Sequence, residues 1–402
     1  MPPSPAQLDR LDRLLAMAVP TNRFLAGKVA GGTAFDRLPF TTKAELAADQ
    51  TAYPPYGSNR TYPPAAYTRL HQTSGTSTGT PLRWWDTAES WATFLANWRT
   101  QFGWMGLTAA DRLAFPFSFG PFIGFWSAFE AAVGVGMGVL PGGGMSTVAR
   151  LRWLLDHGAT VVFATPTYAL HLVETAAAEG LDLPESAVRA VVVAGEPGGS
   201  IPATRERIAA GWGARVFDHY GLTEVGPAAN ERLDTPGSLV VLDDQYIAEV
   251  IDPAGDTDTP AGEVGELVLT TLGRVGSPVV RYRTGDLVRA ERRPDGLHLI
   301  GGVLGRADDM IHVRGNNIYP SAVEAIVRRF AWVGEFRLIA DRSGPLTDLR
   351  LEVELTAAPP DACEHVARAV KDGLLLRVPV TAVPPGTLPR PEMKARRLVK
   401  LG

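Results

Sequence analysis

The spacing of apolar residues divides the chain into helical and extended segments. Residues 6–18 carry leucines at helical intervals and predict an amphipathic helix, and residues 88–102 repeat the spacing with aromatic side chains. Further along, short apolar runs alternate with helical segments, at 160–164, 190–194 and 215–217. Short apolar strands separated by helices are typical of a parallel sheet covered on both faces.

The pattern changes in the last third of the chain. Residues 266–271 and 279–283 predict antiparallel strands, and beyond residue 305 helices and alternating strands predict a compact α+β unit. We therefore expect an α/β protein with a large domain over residues 1–305, built from mostly parallel sheets covered by helices plus a β subdomain. Residues 306–402 should form a small α+β domain.

The composition limits the classes of partner. Among 402 residues, 39 Lys and Arg balance 43 Asp and Glu for a net charge of -4, which does not favour nucleic acid or a membrane surface. The single cysteine, Cys363, excludes an internal disulfide framework. The amino terminus lacks a signal-peptide pattern, and no stretch reaches the roughly 20 apolar residues of a membrane span. We expect a cytoplasmic protein.

A loop at residues 71–81 carries the first concentration of chemistry, because it has several hydroxyls and no aliphatic side chain. Its glycines leave the backbone free to expose successive N–H groups, and the hydroxyls add donors. This combination is more typical of a loop that binds phosphate oxygens than of a flexible linker. The candidate phosphate-binding residues are Thr73, Ser74, Gly75, Thr76, Ser77, Thr78 and Gly79.

The same loop matches the nucleophile elbow G-x-S-x-G, which would make Ser77 the nucleophile of a serine hydrolase. An elbow follows a buried apolar strand and opens directly into a helix, whereas residues 70–74 are polar apart from Leu70, and Pro81 interrupts the segment after the loop. A Walker loop requires a lysine that this loop lacks. Phosphate binding is the favoured interpretation, and the hydrolase stays as the less favoured alternative.

Polar residues follow the apolar strands at the edge where parallel strands of a sheet bind ligands. They are Glu196 and Pro197 after the second strand, and Asp218, Tyr220, Gly221, Thr223 and Glu224 after the third. A carboxylate beside a phosphate site needs a cation between them, so Glu224 is a candidate magnesium ligand, and Gly221 permits a turn. His219 is a candidate base, or a hydrogen-bonded structural residue.

Two further segments leave alternatives open. Asp286 follows a glycine at a predicted strand end, where it could accept hydrogen bonds from ribose hydroxyls or form an Asx turn. The Gly/Pro-rich loop after residue 113 carries Phe117, Phe119 and Phe122, which could line an apolar ligand pocket or pack as a hydrophobic loop.

The order of these motifs resembles the AMP-forming acyl-adenylate enzymes, which include acyl-CoA synthetases and carrier-protein adenylation domains. The nearest branch is the phenylacetate-CoA ligase type. The matching segments are residues 73–81, 218–224, 282–286, and 305–309 together with 314–320. The resemblance spans nearly the entire chain.

The resemblance implies that ATP adenylates a small carboxylic acid, which the aromatic loop indicates to be an aryl acid, and that the acyl group passes to CoA. ATP, Mg²⁺ and CoA are the implied cofactors. A carrier-protein thiol, an amine or another nucleophile is the alternative acceptor. The sequence does not fix the acid or the oligomeric state, for which a homodimer is one option.

The resemblance also implies a role for each matching position. At the nucleotide, residues 73–80 would hold the phosphates, Glu196, Pro197, Asp218 and Tyr220 would surround the adenine, and Asp286 would bind the ribose with Arg306 close by. For catalysis, Thr223 would contact the α-phosphate, Glu224 the magnesium, and Lys394 the carboxylate and phosphate. Asp308 would be the hinge of the small domain. Phe117, Phe119, Gly120, Phe122, Tyr168 and Gly221 would line the acid pocket.

Overall fold

The structure, a computed structural model, describes residues 2–29, 33–73, 81–313, 316–343, 347–390 and 397–401. Its helices are α1 Pro5–Ala18, α2 Arg23–Ala26, α3 Lys43–Ala52, α4 Ala88–Trp104, α5 Trp126–Gly134, α6 Thr147–Asp156, α7 Pro166–Ala178, α8 Pro202–Trp212, α9 Pro320–Val327 and α10 Ala362–Leu374. The helices predicted at residues 6–18 and 88–102 are α1 and α4. None of the described helices is long and apolar enough to cross a membrane.

The strands alternate with these helices in the middle of the chain and dominate after α8. They are β1 Tyr67–Gln72, β2 Arg83–Thr87, β3 Arg112–Phe115, β4 Gly138–Pro141, β5 Val161–Ala164, β6 Ala190–Ala194, β7 Arg215–Leu222, β8 Gly226–Glu231, β9 Ser238–Val241, β10 Tyr246–Ile251, β11 Val264–Thr271, β12 Tyr282–Arg293, β13 Gly296–Arg306, β14 Ile311–Val313, β15 Asn316–Ile318, β16 Val333–Asp341, β17 Asp348–Leu355, β18 Val380–Val383 and β19 Leu398–Leu401.

One mixed sheet of eleven strands organises the large domain, in the order β10-β11-β12-β13-β9-β8-β7-β6-β5-β3-β4. The five strands from β7 to β4 are parallel, and the others pair antiparallel. The predicted α/β class is confirmed. The strands of the β subdomain, β8 to β13, pair in the same sheet as the parallel strands.

The apolar runs of β5 and β6 are buried on both faces, as an all-apolar parallel strand requires. Side chains alternate across a strand, so Val162 and Val191 face α6, α7 and α8, whereas Val161 and Val192 face α4 and α5. All four valines are 0% exposed. The two helical layers thus hold the carboxyl ends of these strands in a fixed position.

The third predicted strand is longer than the sequence indicated. β7 continues through Leu222 and pairs antiparallel with β8, so Asp218, Tyr220 and Gly221 lie within the strand rather than after it. The expectation that Gly221 forms a turn is wrong. A Cβ at Gly221 would lie 2.8 Å from the carbonyl oxygen of Gly226, so the glycine permits close strand contact. The positive φ belongs to Gly226, at 88°.

Asp286 also lies inside a strand. It is the fifth residue of β12 and sits opposite Arg306 of β13, so the predicted strand end at this position is wrong, and so is the Asx turn of a hairpin. Both errors have one cause: polar residues in a row suggest a loop, but here cross-strand partners satisfy them within the sheet.

The last part of the chain forms a four-stranded sheet in the order β18-β17-β16-β19, covered by α9 and α10. Its apolar face has a core of its own, which includes Val327, Phe336, Leu351 and Val366. The large sheet ends with β13 at Arg306, next to the expected boundary between residues 305 and 306. The small sheet lies against α7 and α8, since Arg207 of α8 donates to the carbonyl oxygen of Val333 at 3.1 Å.

The turn between β7 and β8 should depend on Gly226. An alanine there would adopt a left-handed φ and place its Cβ 2.3 Å from Cε1 of Phe94. We expect Gly226→Ala to lower the free energy of unfolding by about 2–5 kcal/mol, from backbone strain plus overpacking. Urea denaturation measures this change.

Gly237→Ala is the matched control, because Gly237 has a φ of 75° but no atom within 4 Å of an added Cβ. It should cost about 1–2 kcal/mol from strain alone. Equal losses in the two variants would contradict the contact with Phe94.

Candidate functional site

The candidate site lies at the carboxyl ends of β5, β6 and β7. Alternation along β7 divides its polar residues between two faces of the sheet. Asp218 and Tyr220 face Ser200 and Asp286, whereas His219 between them stacks on Trp98. The strand therefore presents a polar surface on one side and an aromatic surface on the other.

Asp218 is 8% exposed and accepts a hydrogen bond from the Ser200 hydroxyl. Burial raises the pKa of Asp218 to about 7, the hydrogen bond from Ser200 opposes the rise, and the charge of Glu231 adds to it. Glu231 lies directly behind, where it pairs with Arg205 at 2.6 Å and accepts from the backbone N–H of Asp218. Asp218 is therefore a buried hydrogen-bond acceptor whose pKa lies near physiological pH.

Tyr220, Asp286, Arg306 and Asp308 form a continuous chain of hydrogen bonds. The Tyr220 hydroxyl donates to Oδ2 of Asp286 at 2.7 Å, and Nη1 of Arg306 donates to Oδ1 at 2.9 Å. Arg306 also bonds Asp308 through Nε at 2.8 Å. Burial, and then the charge of Asp286, raise the pKa of Tyr220 well above its ordinary value, so its hydroxyl remains a donor. The chain fixes the Asp286 carboxylate from two sides.

Glu224 lies in the turn between β7 and β8 and is 4% exposed. Its Oε1 accepts from the Tyr282 hydroxyl at 3.2 Å and lies 4.0 Å from Nζ of Lys43, at the start of α3. Burial, and then the charge of Glu224, raise the pKa of Tyr282 well above its ordinary value. Tyr282 and Lys43 hold one carboxylate oxygen in place. We did not predict either contact from the sequence.

A buried ion pair supports the same turn. Arg274 and Asp86 meet at 2.7 and 2.8 Å in a bidentate pair, with both side chains 0% exposed. The remaining amino group of Arg274 donates to the backbone carbonyl of Thr223 at 2.6 Å. The pair thus fixes the backbone of the Thr223–Glu224 segment. No sequence signal identified it, because 188 residues separate its two members.

Glu196 follows β6 and bonds to the start of α7. Its Oε1 accepts from the backbone N–H of Thr167 at 2.8 Å and from the Thr167 hydroxyl. Burial raises the pKa of Glu196, and the charge of Arg397 partly offsets the rise. Pro197 is half-buried beside it. Among the predicted adenine-flanking residues, Glu196 therefore lies where the small domain meets the large one.

The aromatic face of β7 joins the predicted acid-binding loop. Phe117 and Phe119 contact each other at 5.2 Å and belong to the cluster that contains Trp98 and Phe125. Gly120 and Phe122 continue this loop, which is attached to the end of β1 by the Gln72 N–H bond to the Pro121 carbonyl at 2.8 Å. The structure thus brings the predicted aromatic loop next to the strand that leads into the hydroxyl loop.

His219 is held as a structural residue rather than a base. Asn230 donates through Nδ2 to the Glu231 carbonyl, so its Oδ1 faces His219 and accepts from Nδ1 at 3.3 Å. The ring stacks on Trp98 with centroids 4.2 Å apart. Burial lowers the pKa of His219 to about 3, with Asn230 in partial opposition.

Tyr168 lies apart from the aromatic loop. Its ring is 0% exposed in the cluster of α6, α7 and α8, and its hydroxyl accepts from Nη1 of Arg150 at 2.8 Å. This is the position of a core residue on the opposite face of the sheet from Phe117. The expectation that Tyr168 lines the acid pocket is therefore not carried forward.

Part of the predicted site falls outside the described residues: Ser74, Gly75, Thr76, Ser77, Thr78 and Gly79 of the hydroxyl loop, and Lys394. Thr73 is described, and it closes the base of the loop. Its backbone N–H donates to the Leu82 carbonyl and its hydroxyl accepts from the Leu82 N–H, both at 2.9 Å.

The raised pKa of Asp218 predicts how stability should depend on pH. A carboxyl group with an ordinary pKa of 3.8 in the unfolded chain and about 7 in the fold leaves the folded state less stable as pH rises from about 4 to 7. Asp218→Asn removes this titration and keeps an acceptor for Ser200. Its stability relative to the natural protein should rise by about 2 kcal/mol between pH 5.5 and pH 8.

Urea denaturation of both proteins at the two pH values measures this difference. Asp234→Asn, which changes an exposed carboxylate, should show no such pH dependence. If the effect of Asp218→Asn is the same at both pH values, Asp218 does not titrate as the structure indicates.

Comparison with known proteins identifies the family. The chain matches the AMP-binding enzyme model over residues 27–273 and the AMP-binding enzyme C-terminal domain over residues 315–401. The phenylacetate-coenzyme A ligase of Thermus thermophilus is 30% identical, with 98% of this chain and 96% of that protein covered.

A solved structure, 2-hydroxyisobutyryl-CoA ligase in the postadenylation state with 2-HIB-AMP, has a TM-score of 0.92 and 27% identity over 98% of this chain and 88% of that chain. The same ligase in the thioesterification state with 2-HIB-AMP and CoA has a TM-score of 0.72 over 98% of this chain and 89% of that chain. The chain belongs to the AMP-binding enzyme family, as a ligase that adenylates a carboxylate with ATP and transfers the acyl group to CoA.

Proposed function

We propose that the carboxylate activated by this ligase is an aromatic acid. The observation that carries the proposal is the cluster of Phe117, Phe119, Phe125 and Trp98 on the face of β7 opposite the polar nucleotide face. Rings of this kind favour a flat apolar ligand through offset and edge-to-face contacts. The name of the relative from Thermus thermophilus supports it, since phenylacetate is an aromatic acid.

The nucleotide would lie on the polar face. Tyr220 and Arg306 both donate to the Asp286 carboxylate and hold it in one orientation, from which it can accept hydrogen bonds from the two ribose hydroxyls. Asp218 is a buried acceptor on the same face, with Glu196 and Pro197 at the neighbouring strand end, and these three would surround the adenine. The hydroxyl loop, residues 73–80, would hold the phosphates.

Glu224 is proposed as the magnesium ligand. Mg²⁺ prefers oxygen donors and in nucleotide sites uses one or two carboxylates together with phosphate oxygens and water. Glu224 fits this demand, because it offers a carboxylate held by Tyr282 and Lys43. Groups of three or more metal-ligating side chains are absent from the described residues, so the remaining ligands would come from the nucleotide and water. The bound ion would supply positive charge against the phosphates.

The chemistry requires positioning more than a nucleophilic side chain. In the first step an oxygen of the acid attacks the α-phosphorus and pyrophosphate leaves, so two anions must approach each other. Thr223 would bond the α-phosphate from a backbone fixed by Arg274, and Lys394 would neutralise the carboxylate and phosphate. In the second step the CoA thiol attacks the acyl carbon and AMP leaves.

We place the boundary between the two domains at residues 305 and 306, with Asp308 as the hinge. Asp308 lies just after β13 leaves the large sheet, and Arg306 holds its side chain at 2.8 Å. The higher TM-score against the postadenylation state than against the thioesterification state supports the view that this orientation serves adenylation. Rotation about Asp308 would then expose the acyl-adenylate to CoA.

The adenylation step predicts exchange of labelled pyrophosphate into ATP that depends on the acid. Glu224→Ala and Lys394→Ala should each lower the exchange rate at least about 100-fold. The first removes the proposed ligand of Mg²⁺ and the second removes a cation, so each reduces the positive charge at the phosphates. Lys371→Ala is the control, since it removes an exposed lysine from α10 of the same domain. Retained exchange in both site variants would contradict the assigned roles.

A panel of aryl, heteroaryl and short aliphatic acids in the same exchange assay tests the proposed acid. We expect the highest kcat/KM with an aryl acid, and a KM for that acid about 10-fold higher in Phe119→Ala, because a pocket loses apolar contact. Phe129→Ala, which removes a ring of the same cluster from α5, should leave this KM unchanged. Preference for aliphatic acids would overturn the proposal.

Transfer to CoA is measured directly as thioester formation. A carrier-protein thiol is the second acceptor that the sequence allowed, and we propose CoA as the physiological one on the basis of the ligases to which the chain is similar. Adenylation without thioester formation from free CoA would favour a carrier protein instead.

A further inference from the structure

Arg397 is the residue before β19 and lies between the small sheet and the large domain. Its side chain is 10% exposed. Within the small domain, Nε bonds Oε1 of Glu335 at 2.7 Å, Nη2 bonds Oε2 at 3.1 Å, and Nη1 bonds Oε1 of Glu324 at 3.1 Å. Across the boundary, Nη2 donates to the Thr167 hydroxyl oxygen at 2.8 Å.

Thr167 connects Arg397 to Glu196 of the candidate site. It is the second residue of α7 and is 4% exposed. Its backbone N–H and its hydroxyl both donate to Oε1 of Glu196. A hydroxyl has one donor and two acceptor positions, so Thr167 can donate to Glu196 and accept from Arg397 at once. The result is a directed series from Arg397 through Thr167 to Glu196.

The charges around Arg397 explain why this contact is strong. Arg397 and Arg328 each pair with both Glu324 and Glu335, which gives a group of two cations and two anions. Glu196, on the large domain, adds a third carboxylate. Of the two arginines, Arg397 is the one that lies towards Glu196. Hydrogen bonds from a charged donor are about twice as strong as neutral ones, and burial strengthens them further.

Other contacts cross the same boundary. Ser321 donates to the Leu304 carbonyl close to the proposed hinge, and two contacts further from the hinge are weaker than that of Arg397. Arg390 reaches Glu174 of α7 at 3.4 Å, with the side chain of Glu174 39% exposed, so water screens the pair. Arg207 donates to a backbone carbonyl, that of Val333, at 3.1 Å.

Arg306 also pairs across the boundary with Asp286 at 2.9 Å, but it lies at the boundary itself and its side chain is 31% exposed. Arg397 is more deeply buried, at 10% exposed, and reaches the large domain at Thr167, which in turn bonds Glu196 beside the proposed nucleotide position.

We propose that Arg397 is a positioning residue for adenylation, acting as a latch through Thr167 to Glu196. The latch stabilises the present orientation of the small domain, and it breaks when the domain rotates for thioester formation. This inference rests on the proposed function, in which this orientation serves the first half-reaction. It assigns no contact with the substrate to Arg397.

The test separates the two half-reactions. Thr167→Val removes the hydroxyl with little change of volume and leaves the bonds of Arg397 to Glu324 and Glu335 intact, so the small domain keeps its own contacts. We expect the maximal rate of pyrophosphate exchange to fall about 10-fold. The rate of thioester formation from chemically supplied acyl-adenylate and CoA should stay the same or rise. An equal fall in both half-reactions would overturn the latch, because it would indicate general damage.

Glu174→Gln is the matched control, since it removes the screened contact from the same helix and should change either rate less than 2-fold. A double-mutant cycle adds a second readout: once Thr167→Val is present, Arg397→Lys should cause little further loss of exchange. Additive losses would show that the two residues act independently, and the latch would be rejected.

The outcomes for the latch and for the proposed function are distinct. Normal exchange in the natural protein together with normal exchange in Thr167→Val rejects the latch and leaves the proposed function standing. Absence of exchange in the natural protein with every acid rejects both. A rise in KM for ATP without a change in maximal rate would assign Thr167 to nucleotide binding through Glu196 and would also reject the latch.

Discussion

Carboxylates buried near one another must each have a compensating partner, and this requirement determines how the site is built. Asp86, Asp218, Glu224 and Asp286 are all at most 8% exposed. Arg274 compensates Asp86, Arg306 compensates Asp286, and Lys43 approaches Glu224. Asp218 is met by a hydroxyl instead, and burial raises its pKa to about 7 although the hydrogen bond from Ser200 opposes the rise. A buried charge without such a partner costs several kcal/mol, so these partners are as necessary to the arrangement as the carboxylates themselves.

The sequence predicted the elements whose signals are local. Apolar runs of four or five residues identified β5 and β6, and leucines at helical intervals identified α1. Motif order led to the correct family, and with it the prediction that Arg306 lies close to Asp286. The strand ends were wrong where polar residues continue a strand, as in β7 and β12.

Long-range partners were beyond the sequence. Asp86 and Arg274 read separately as a strand residue and a loop residue, and nothing in their neighbours connects them across 188 positions. Tyr168 shows the reverse error, since its place after a strand suggested a pocket, whereas the three helices around it enclose it completely. Which face of a sheet a side chain occupies depends on packing that a single sequence does not record. The same limit applies to Arg397, which reads as one more basic residue of a solvated tail.

The eleven-stranded sheet has a mechanical consequence. β7, which carries the aromatic face on one side, is connected through β8, β9 and β13 to β12, which carries Asp286, by an unbroken series of backbone hydrogen bonds. In the proposed function the two substrates would both be held on this frame, and they could separate only by shearing paired strands. The four-stranded small sheet is a separate sheet, so the proposed rotation of the small domain would leave both substrate positions on the frame unchanged.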